Sequence, residues 1–225
     1  PCYFPAIMRD IGLRTRLAAP FVIRRLAPGR DDVVLLSFDD GPTPGVTEAV
    51  LERLDAHDAK ALFCLVGERV ERSPATARAV AEAGHMLGNH SHRHRLDGWA
   101  RTGRYLDDLD RCSDAIGAAT GRGPDVFRAP GGRLHWASIM APRRRGLPHV
   151  LWSVDPRDYA AAGDDDARRL GADLAREVQG LDIVLLHDDA PRILALLDVL
   201  LPALRARGLD LASGAGRLAL TGGSR

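Results

Sequence analysis

Two adjacent carboxylates give the first indication of chemistry in this sequence. Asp39 and Asp40 follow the apolar run Val33–Phe38 and precede a Gly-Pro turn. Neighbouring carboxylates repel each other unless a cation or an arginine stabilises them, so the pair indicates a site for positive charge. A plain helix-capping role is the alternative for acidic residues in this position.

Three histidines within five residues form a second cluster. His90, His92 and His94 follow a short apolar stretch that ends at Asn89. Imidazole is a common ligand of zinc and related divalent ions, so a metal site is the favoured interpretation. The spacing leaves the ligand pair open. On an extended strand all three side chains share one face, whereas on a helical turn only His90 and His94 point together.

Three further clusters supply an arginine, paired aspartates and a lone histidine. Arg128 precedes the turn at 129–132, the sequence Asp-Pro-Arg-Asp-Tyr occupies 155–159, and His187 follows the apolar run Ile183–Leu186. The arginine could bond a carboxylate through two N–H groups, and the glycine-rich turn could present backbone amides to an oxyanion. Each cluster alone has an ordinary structural explanation. Five such clusters, each directly after an apolar run, indicate catalysis.

Alternating apolar runs and helical patterns must position these clusters. Strands are predicted at Val33–Phe38, Ala61–Val66, His85–Leu87, Asp125–Arg128, His149–Val154 and Ile183–Leu186. Helices are predicted at Val46–His57, between Ser73 and Gly84, near 101–119, 136–144 and 165–179, and at Pro191–Arg207. Continuously apolar strands indicate a parallel sheet covered on both faces. We therefore predict an α/β fold, a distorted or incomplete (β/α) barrel with about seven parallel strands and its chemistry at the strands' carboxyl ends.

Composition limits the class of protein. With 225 residues, of which 45% are hydrophobic, the chain suits one catalytic domain, predicted at 31–225 after a basic amphipathic segment at 1–30. That segment either packs outside the domain or lies on an anionic surface. A formal charge of +1 favours no nucleic-acid partner. No run approaches the roughly 18 uncharged apolar residues of a membrane-spanning helix. The three cysteines have no paired motif and are predicted to be unbridged.

The five clusters have, in chain order, the sequences SFDDGP at 37–42, HSHRH at 90–94, RAPGG at 128–132, DPRDY at 155–159 and LLH at 185–187. They resemble the five motifs of the polysaccharide deacetylase family, carbohydrate esterase family 4. The resemblance extends from about residue 33 to residue 207. The first two motifs together are specific, and the last three gain weight from falling in the expected order.

The resemblance implies roles on the metal side of the site. It implies one divalent ion bound by Asp40, His90 and His94. Asp39 would be the general base, and Arg128 would be its electrostatic anchor. Zinc is the expected ion, with cobalt, nickel and manganese as alternatives, because two histidines and a carboxylate accept several divalent ions.

The remaining roles concern the leaving group and the oxyanion. The resemblance implies that His187 is the general acid, oriented and charged by Asp158. The backbone N–H of Gly131 would help to hold the oxyanion. The sequence departs from the family at Gly131, where an aromatic residue is frequent, and at Tyr159, where tryptophan is usual. These departures concern the sugar site rather than the reacting groups.

The implied activity is metal-dependent hydrolysis of N-acetyl, or O-acetyl, groups from an acetylated glycan such as peptidoglycan, chitin oligomers or acetylxylan. An extracellular or cell-envelope location is implied, although no signal peptide is visible in the chain. Two other functions stay open: an amidohydrolase of the same fold that acts on a small amide or imide, and a catalytically silent glycan-binding domain. Exposed aromatic residues would favour a polymer, and the candidates are Trp99, Trp136, Trp152 and Tyr159. The sequence predicts no oligomeric state.

Overall fold

The fold is built on a parallel sheet of five strands in a computed structural model that describes residues 21–95 and 102–218. The strands are β1 (Leu35–Asp39), β2 (Ala61–Leu65), β3 (Met86–Asn89), β4 (Val126–Phe127) and β5 (Ile183–His187). They lie in the order β4-β3-β2-β1-β5, and every neighbouring pair is parallel. All five carboxyl ends therefore meet at one edge, as the sequence predicts.

Seven helices within the described ranges connect and cover the strands. They are α1 (Val46–Ala56), α2 (Gly67–Arg72), α3 (Pro74–Glu82), α4 (Thr102–Thr120), α5 (Trp136–Arg144), α6 (Asp164–Glu177) and α7 (Arg192–Ala206). Six of them agree with the predicted helices to within a few residues. Helix α2 was not predicted, because its six residues, fewer than two turns, are too short to show an apolar period. No helix in the described ranges is long and apolar enough to cross a membrane.

The apolar strands account for the core. Every residue of β1 and β2 is buried, and the Phe38 and Phe63 rings stack with their centroids 5.0 Å apart. One core cluster joins the sheet to helices α1, α3, α6 and α7, and a smaller cluster lies around Leu35, Leu62 and Val150. A sheet covered on both faces needs such continuously apolar strands, which is the pattern seen in the sequence.

The predicted strand at 149–154 forms isolated bridges instead of a regular strand. His149 bridges to Phe127 beside β4, and Val154 bridges to Val184 in β5. The segment thus spans the gap between the two edges of the sheet and touches each edge at one end. In between, the carbonyls of Val150 and Leu151 accept hydrogen bonds from the Arg128 guanidinium rather than from a neighbouring strand.

This crossing segment explains the distorted barrel. The described part contains five regular strands rather than about seven, because 149–154 is diverted to Arg128 and because Asp210 contributes only a bridge to Val33. The predicted class of distorted or incomplete barrel is confirmed. Ile23 bridges to Val150 and Arg25 bridges to Asp182, so residues just before β1 brace the same gap. Residues 1–20, most of the predicted amphipathic segment, lie outside the described residues.

Candidate active site

Ionisable side chains gather at the carboxyl edge of the sheet. Asp39 ends β1 and is in register with His187, which ends the adjacent strand β5. His90 follows β3, and Arg128 follows β4. The backbone N–H of Arg128 donates to the Asn89 carbonyl at 3.0 Å. Parallel register brings these residues together although up to 148 positions separate them in the chain. The sequence prediction that the strand ends share one site agrees with this placement.

Asp40, His90 and His94 form a cluster suited to a cation. Their nearest ligand atoms all lie within 4.8 Å of one another. Asp40 Oδ1 lies 3.0 Å from His94 Nε2 and 3.6 Å from His90 Nε2. This oxygen is buried, and no described residue donates a hydrogen bond to it. Buried polar atoms are normally satisfied, so an orphaned carboxylate oxygen beside two imidazoles fits a bound metal ion.

The tautomer of His90 supports the same assignment. His90 Nδ1 lies 2.9 Å from the carbonyl oxygen of Arg128. A carbonyl can only accept, so Nδ1 donates its N–H, and the neutral ring then has its lone pair on Nε2, which lies toward Asp40. Metal-binding histidines commonly donate their second ring N–H to a carbonyl in this way. Burial, and repulsion whenever His90 is protonated, lower the pKa of His94, which favours the neutral form of the His94 ring that can ligate a metal.

The backbone of the histidine loop is neither extended nor helical. Ser91 and His94 have φ values of 65° and 46°, in the left-handed region. The Asn89 side-chain oxygen accepts the Ser91 N–H at 2.9 Å, and Ser91 Oγ accepts the His94 N–H at 3.0 Å. These local bonds offset the cost of the unusual dihedrals. They turn His90 and His94 toward the same point.

His92 points away from this cluster. Its ring packs against Gly67, where an added Cβ would lie 2.4 Å from His92 Nδ1. Its Nε2 lies 3.7 Å from a Glu71 carboxylate oxygen, and Asp108 accepts its backbone N–H at 2.7 Å. The geometry therefore separates His92 from the other two histidines, which spacing alone could not do. Its buried Nδ1 accepts and donates no hydrogen bond among the described residues.

Asp39 and Arg128 form a buried ion pair. Arg128 Nη1 lies 2.7 Å from Asp39 Oδ1, and the side chains are 0% and 4% exposed respectively. Burial acts to raise the pKa of Asp39, but the Arg128 charge and two nearby histidines outweigh it and hold that pKa below its ordinary value. The other oxygen, Oδ2, lies 3.5 Å from His90 Nε2. An ionised carboxylate oxygen thus faces the cation cluster without being one of its three members.

Arg128 is held by more than its carboxylate. The same Nη1 donates to Ser37 Oγ at 2.9 Å, while Nε and Nη2 donate to the carbonyls of Val150 and Leu151. Its guanidinium carbon lies 5.7 Å from the Trp152 ring centroid. A fully buried guanidinium needs this many acceptors to offset the loss of water. The arginine is therefore fixed in place as the partner of Asp39.

His187 and Asp158 form a second ion pair at the end of β5. His187 Nδ1 lies 2.7 Å from Asp158 Oδ1, and Asp158 Oδ2 accepts the His187 backbone N–H at 2.8 Å. Arg157, at φ 56°, turns the chain so that Asp158 faces β5. Burial acts to lower the pKa of His187, but the hydrogen bond and charge of Asp158 outweigh it and raise that pKa to about 9. The imidazole is therefore protonated at neutral pH.

Gly131 lies in the tight turn Pro130–Gly132 with φ 58°. It forms part of the wall of a cavity of about 190 Å³ that also contacts Trp152 and Asp155. At the neighbouring Gly132, an added Cβ would lie 2.7 Å from the Trp152 ring, so this turn rests directly on the indole. A left-handed glycine is the residue that such a close approach requires.

Several supporting residues escaped the sequence analysis. Ser37 and Asn89 interrupt apolar strands, which is a usable sign of a buried polar role, and both are 0% exposed. Asp108 sits on α4 and gives no sign in the sequence of its bond to the histidine loop. Of the aromatic candidates, Trp136 is 72% exposed and Tyr159 is 51% exposed, Trp152 is partly buried, and Trp99 lies outside the described residues.

Comparison with known proteins agrees with this geometry. The family model described as polysaccharide deacetylase matches residues 27–148. A peptidoglycan-N-acetylglucosamine deacetylase of Bacillus cereus is 32% identical over 201 residues, which cover 87% of this chain and 92% of that protein. A chitooligosaccharide deacetylase of a Bradyrhizobium species is 32% identical over 193 residues, with 79% and 87% covered.

A solved structure shows the same fold. It is a mutant, with restored enzymatic activity, of a CE4 family pseudoenzyme from Bacillus anthracis. It aligns with a TM-score of 0.77 at 27% identity and covers 85% of this chain and 68% of that chain. Together with the family match over more than half of the chain, these similarities confirm the resemblance seen in the motifs. The chain belongs to the polysaccharide deacetylase family.

Proposed function

We propose that this protein hydrolyses N-acetyl groups of an acetylated glycan, releasing acetate and a free amino sugar. The observation that carries the proposal is a cation cluster that shares the carboxyl edge of the sheet with an ionised buried carboxylate and a protonated imidazole. Amide hydrolysis needs a base for water and an acid for the departing amine. The names of the two relatives, which act on peptidoglycan and chitooligosaccharides, support an amino-sugar substrate.

The proposed base and acid have opposite protonation states set by their partners. Asp39 Oδ2 accepts the proton of a water molecule as that water attacks the acetyl carbon, while Arg128 keeps the carboxylate ionised. The new C–O bond forms first and leaves negative charge on the carbonyl oxygen, and the C–N bond breaks in the following step as that oxygen re-forms the carbonyl. His187 donates its proton to the leaving nitrogen, and Asp158 keeps the imidazole charged until then. The Gly131 amide would donate to the oxyanion, a contact worth roughly 3 kcal/mol in other enzymes.

The family is metal-dependent, and we propose zinc as the ion held by Asp40, His90 and His94. A divalent ion there supplies Lewis-acid chemistry by lowering the pKa of water and polarising a carbonyl oxygen. Two neutral imidazoles and one carboxylate suit zinc, and they also accept cobalt, nickel and manganese. The orphaned Asp40 Oδ1 and the lone pair of His90 Nε2 fit such an ion.

We also propose that the enzyme acts in the cell envelope or outside the cell, where peptidoglycan and chitin-type glycans are found. A catalytically silent role is the second candidate, because one structural relative is described as a pseudoenzyme. The presence of both ion pairs and the cation cluster in this chain favours an active enzyme over that candidate.

Acetate release after chelation tests the proposal. The protein is stripped of metal and assayed on peptidoglycan, chitin oligomers, acetylxylan and a small acetamide, with zinc, cobalt, nickel or manganese restored in turn. We expect metal-dependent release from at least one glycan. Release from the small amide alone would favour the amidohydrolase alternative, and no release from any substrate would favour the silent one.

Two variants separate the base from the metal ligands. We expect Asp39→Asn to retain one equivalent of zinc and to lose about 10²–10⁴-fold in turnover, the usual contribution of a general base. His94→Ala should lose the zinc itself. Asp165→Asn, at an exposed carboxylate on α6, serves as the control and should change neither quantity. A fully active Asp39→Asn enzyme would refute the base assignment.

A further inference from the structure

Asp188 is a buried carboxyl for which the proposed reaction has no use. It follows His187, and since successive residues of a strand point to opposite sides, it faces away from the acid toward α1. Its side chain is 0% exposed. One oxygen, Oδ2, accepts a hydrogen bond from Thr47 Oγ1 at 2.5 Å, and Oδ1 has no hydrogen-bond partner among the described residues. A carboxyl buried with so few partners is costly, so its presence needs an explanation.

Asp188 contacts the end of β1, the turn that follows it and the first turn of α1. Its backbone N–H donates to the Asp39 carbonyl at 3.3 Å. Its carboxyl packs against Gly41, where an added Cβ would lie 2.4 Å from Oδ2. Through Thr47 it reaches the end of the turn, because Thr47 Oγ1 also accepts the Thr43 N–H at 2.8 Å. The direct contacts at Asp39 and Gly41 bracket Asp40, and Thr47 extends the support to Thr43.

Asp40 needs such support because of its backbone. It has a φ of 75°, in the left-handed region that costs a non-glycine residue free energy. A carboxylate in this conformation keeps its direction only if the flanking residues are fixed. Ordered hydrogen bonds behind a metal ligand are the usual means of orienting it.

We propose that Asp188 is a positioning residue that, through Thr47 and Gly41, holds the Asp39–Thr43 turn so that Asp40 points at the two histidines. This inference rests on the proposed metal site. It also connects the proposed acid to the proposed metal ligand Asp40, because Asp188, which fixes the turn, directly follows His187 in the chain. This role requires the Asp188 oxygen that accepts the hydrogen bond from Thr47, and it does not require a negative charge on Asp188.

Zinc affinity of the full chain tests this role without any glycan substrate. Competition with a zinc-binding dye gives the dissociation constant for each variant, and the visible spectrum of the cobalt form reports the ligand geometry. We expect Asp188→Ala to weaken zinc binding about 10–100-fold, the usual effect of losing a bond behind the ligands. Asp188→Asn keeps an oxygen for Thr47, so it should stay within about threefold of wild type.

A second pair of variants covers the case in which Asp188→Ala fails to fold. Thr47→Val removes the hydroxyl and should weaken zinc binding about tenfold, whereas Thr47→Ser should not. Asp189→Asn, the next residue along, is the control and should leave affinity unchanged. Folded Asp188→Ala and Thr47→Val proteins with wild-type affinity would overturn the inference. A wild-type chain that binds no divalent ion would overturn both the inference and the proposed function.

Discussion

The charge state of His187 is the most direct test of the proposed acid. Its Nδ1 lies 2.7 Å from Asp158 Oδ1, and the pair raises the His187 pKa from 6.5 to about 9 despite burial. At about 1.4 kcal/mol per pKa unit, this shift corresponds to roughly 3 kcal/mol of preference for the charged ring. We predict that Asp158→Asn lowers the pKa of His187 to about 6.5, because the hydrogen bond and charge of Asp158 are the largest effects opposing burial and only the smaller effects of Asp39 and Asp40 remain.

The consequence at neutral pH is large. At pH 7.5 a group of pKa 9 is more than about nine-tenths protonated, and a group of pKa 6.5 is only about one-tenth protonated. The Asp158→Asn enzyme should therefore lose about tenfold in kcat/KM from protonation alone, with its basic limb moved to lower pH. NMR titration of the metal-free protein measures the His187 pKa directly. Asp165→Asn, a carboxylate exposed on α6, should leave it unchanged.

The free energy of unfolding should also depend on the His187–Asp158 pair. Because the folded pKa of His187 lies above its ordinary value, the pair stabilises the fold fully below pH 6.5, and that contribution is lost as the pH rises through about 9. The deficit of Asp158→Asn in the free energy of unfolding should accordingly be greatest near pH 6 and shrink above pH 9. A wild-type His187 that titrates near 6.5, or an Asp158→Asn variant that leaves its pKa unchanged, would refute this account.

Three further predictions concern residues around the site. Arg128→Leu should lower the free energy of unfolding by about 3–5 kcal/mol, since it leaves the buried base without its 2.7 Å partner, and chemical denaturation measures this. Gly132→Ala should cost about 1–3 kcal/mol because the new Cβ meets Trp152 at a positive φ, whereas the matched control Gly121→Ala, also at a positive φ but with open space at its Cβ, should cost less in the same assay. His92→Asn should still bind one zinc by metal analysis, because its ring points away from the cation cluster, and loss of the ion would contradict that orientation.

The local elements of the fold were predictable from the sequence for physical reasons. Strands β1, β2 and β5 are buried on both faces, so their apolar runs are continuous and easily recognised. The helix at Pro74–Glu82 begins at a proline and is followed by Gly84 at φ 75°, which are the expected start and stop signals. The fold class follows from the order of these elements. The clusters of candidate site residues were recognisable because each one comes directly after a predicted apolar strand.

The tertiary structure decided which groups meet and how each is held. The bond from Arg128 to Asp39 joins residues 89 positions apart, and the bond from Thr47 to Asp188 joins residues 141 apart. Such pairs depend on strand register and burial, which no local pattern encodes. Two other side-chain bonds, from Arg128 to the carbonyls of Val150 and Leu151, accompany the replacement of the expected strand at 149–154 by isolated bridges. Packing against Gly67 likewise orients His92 away from the cluster. Residue spacing limits the directions that a side chain can take, and tertiary contacts select one of them.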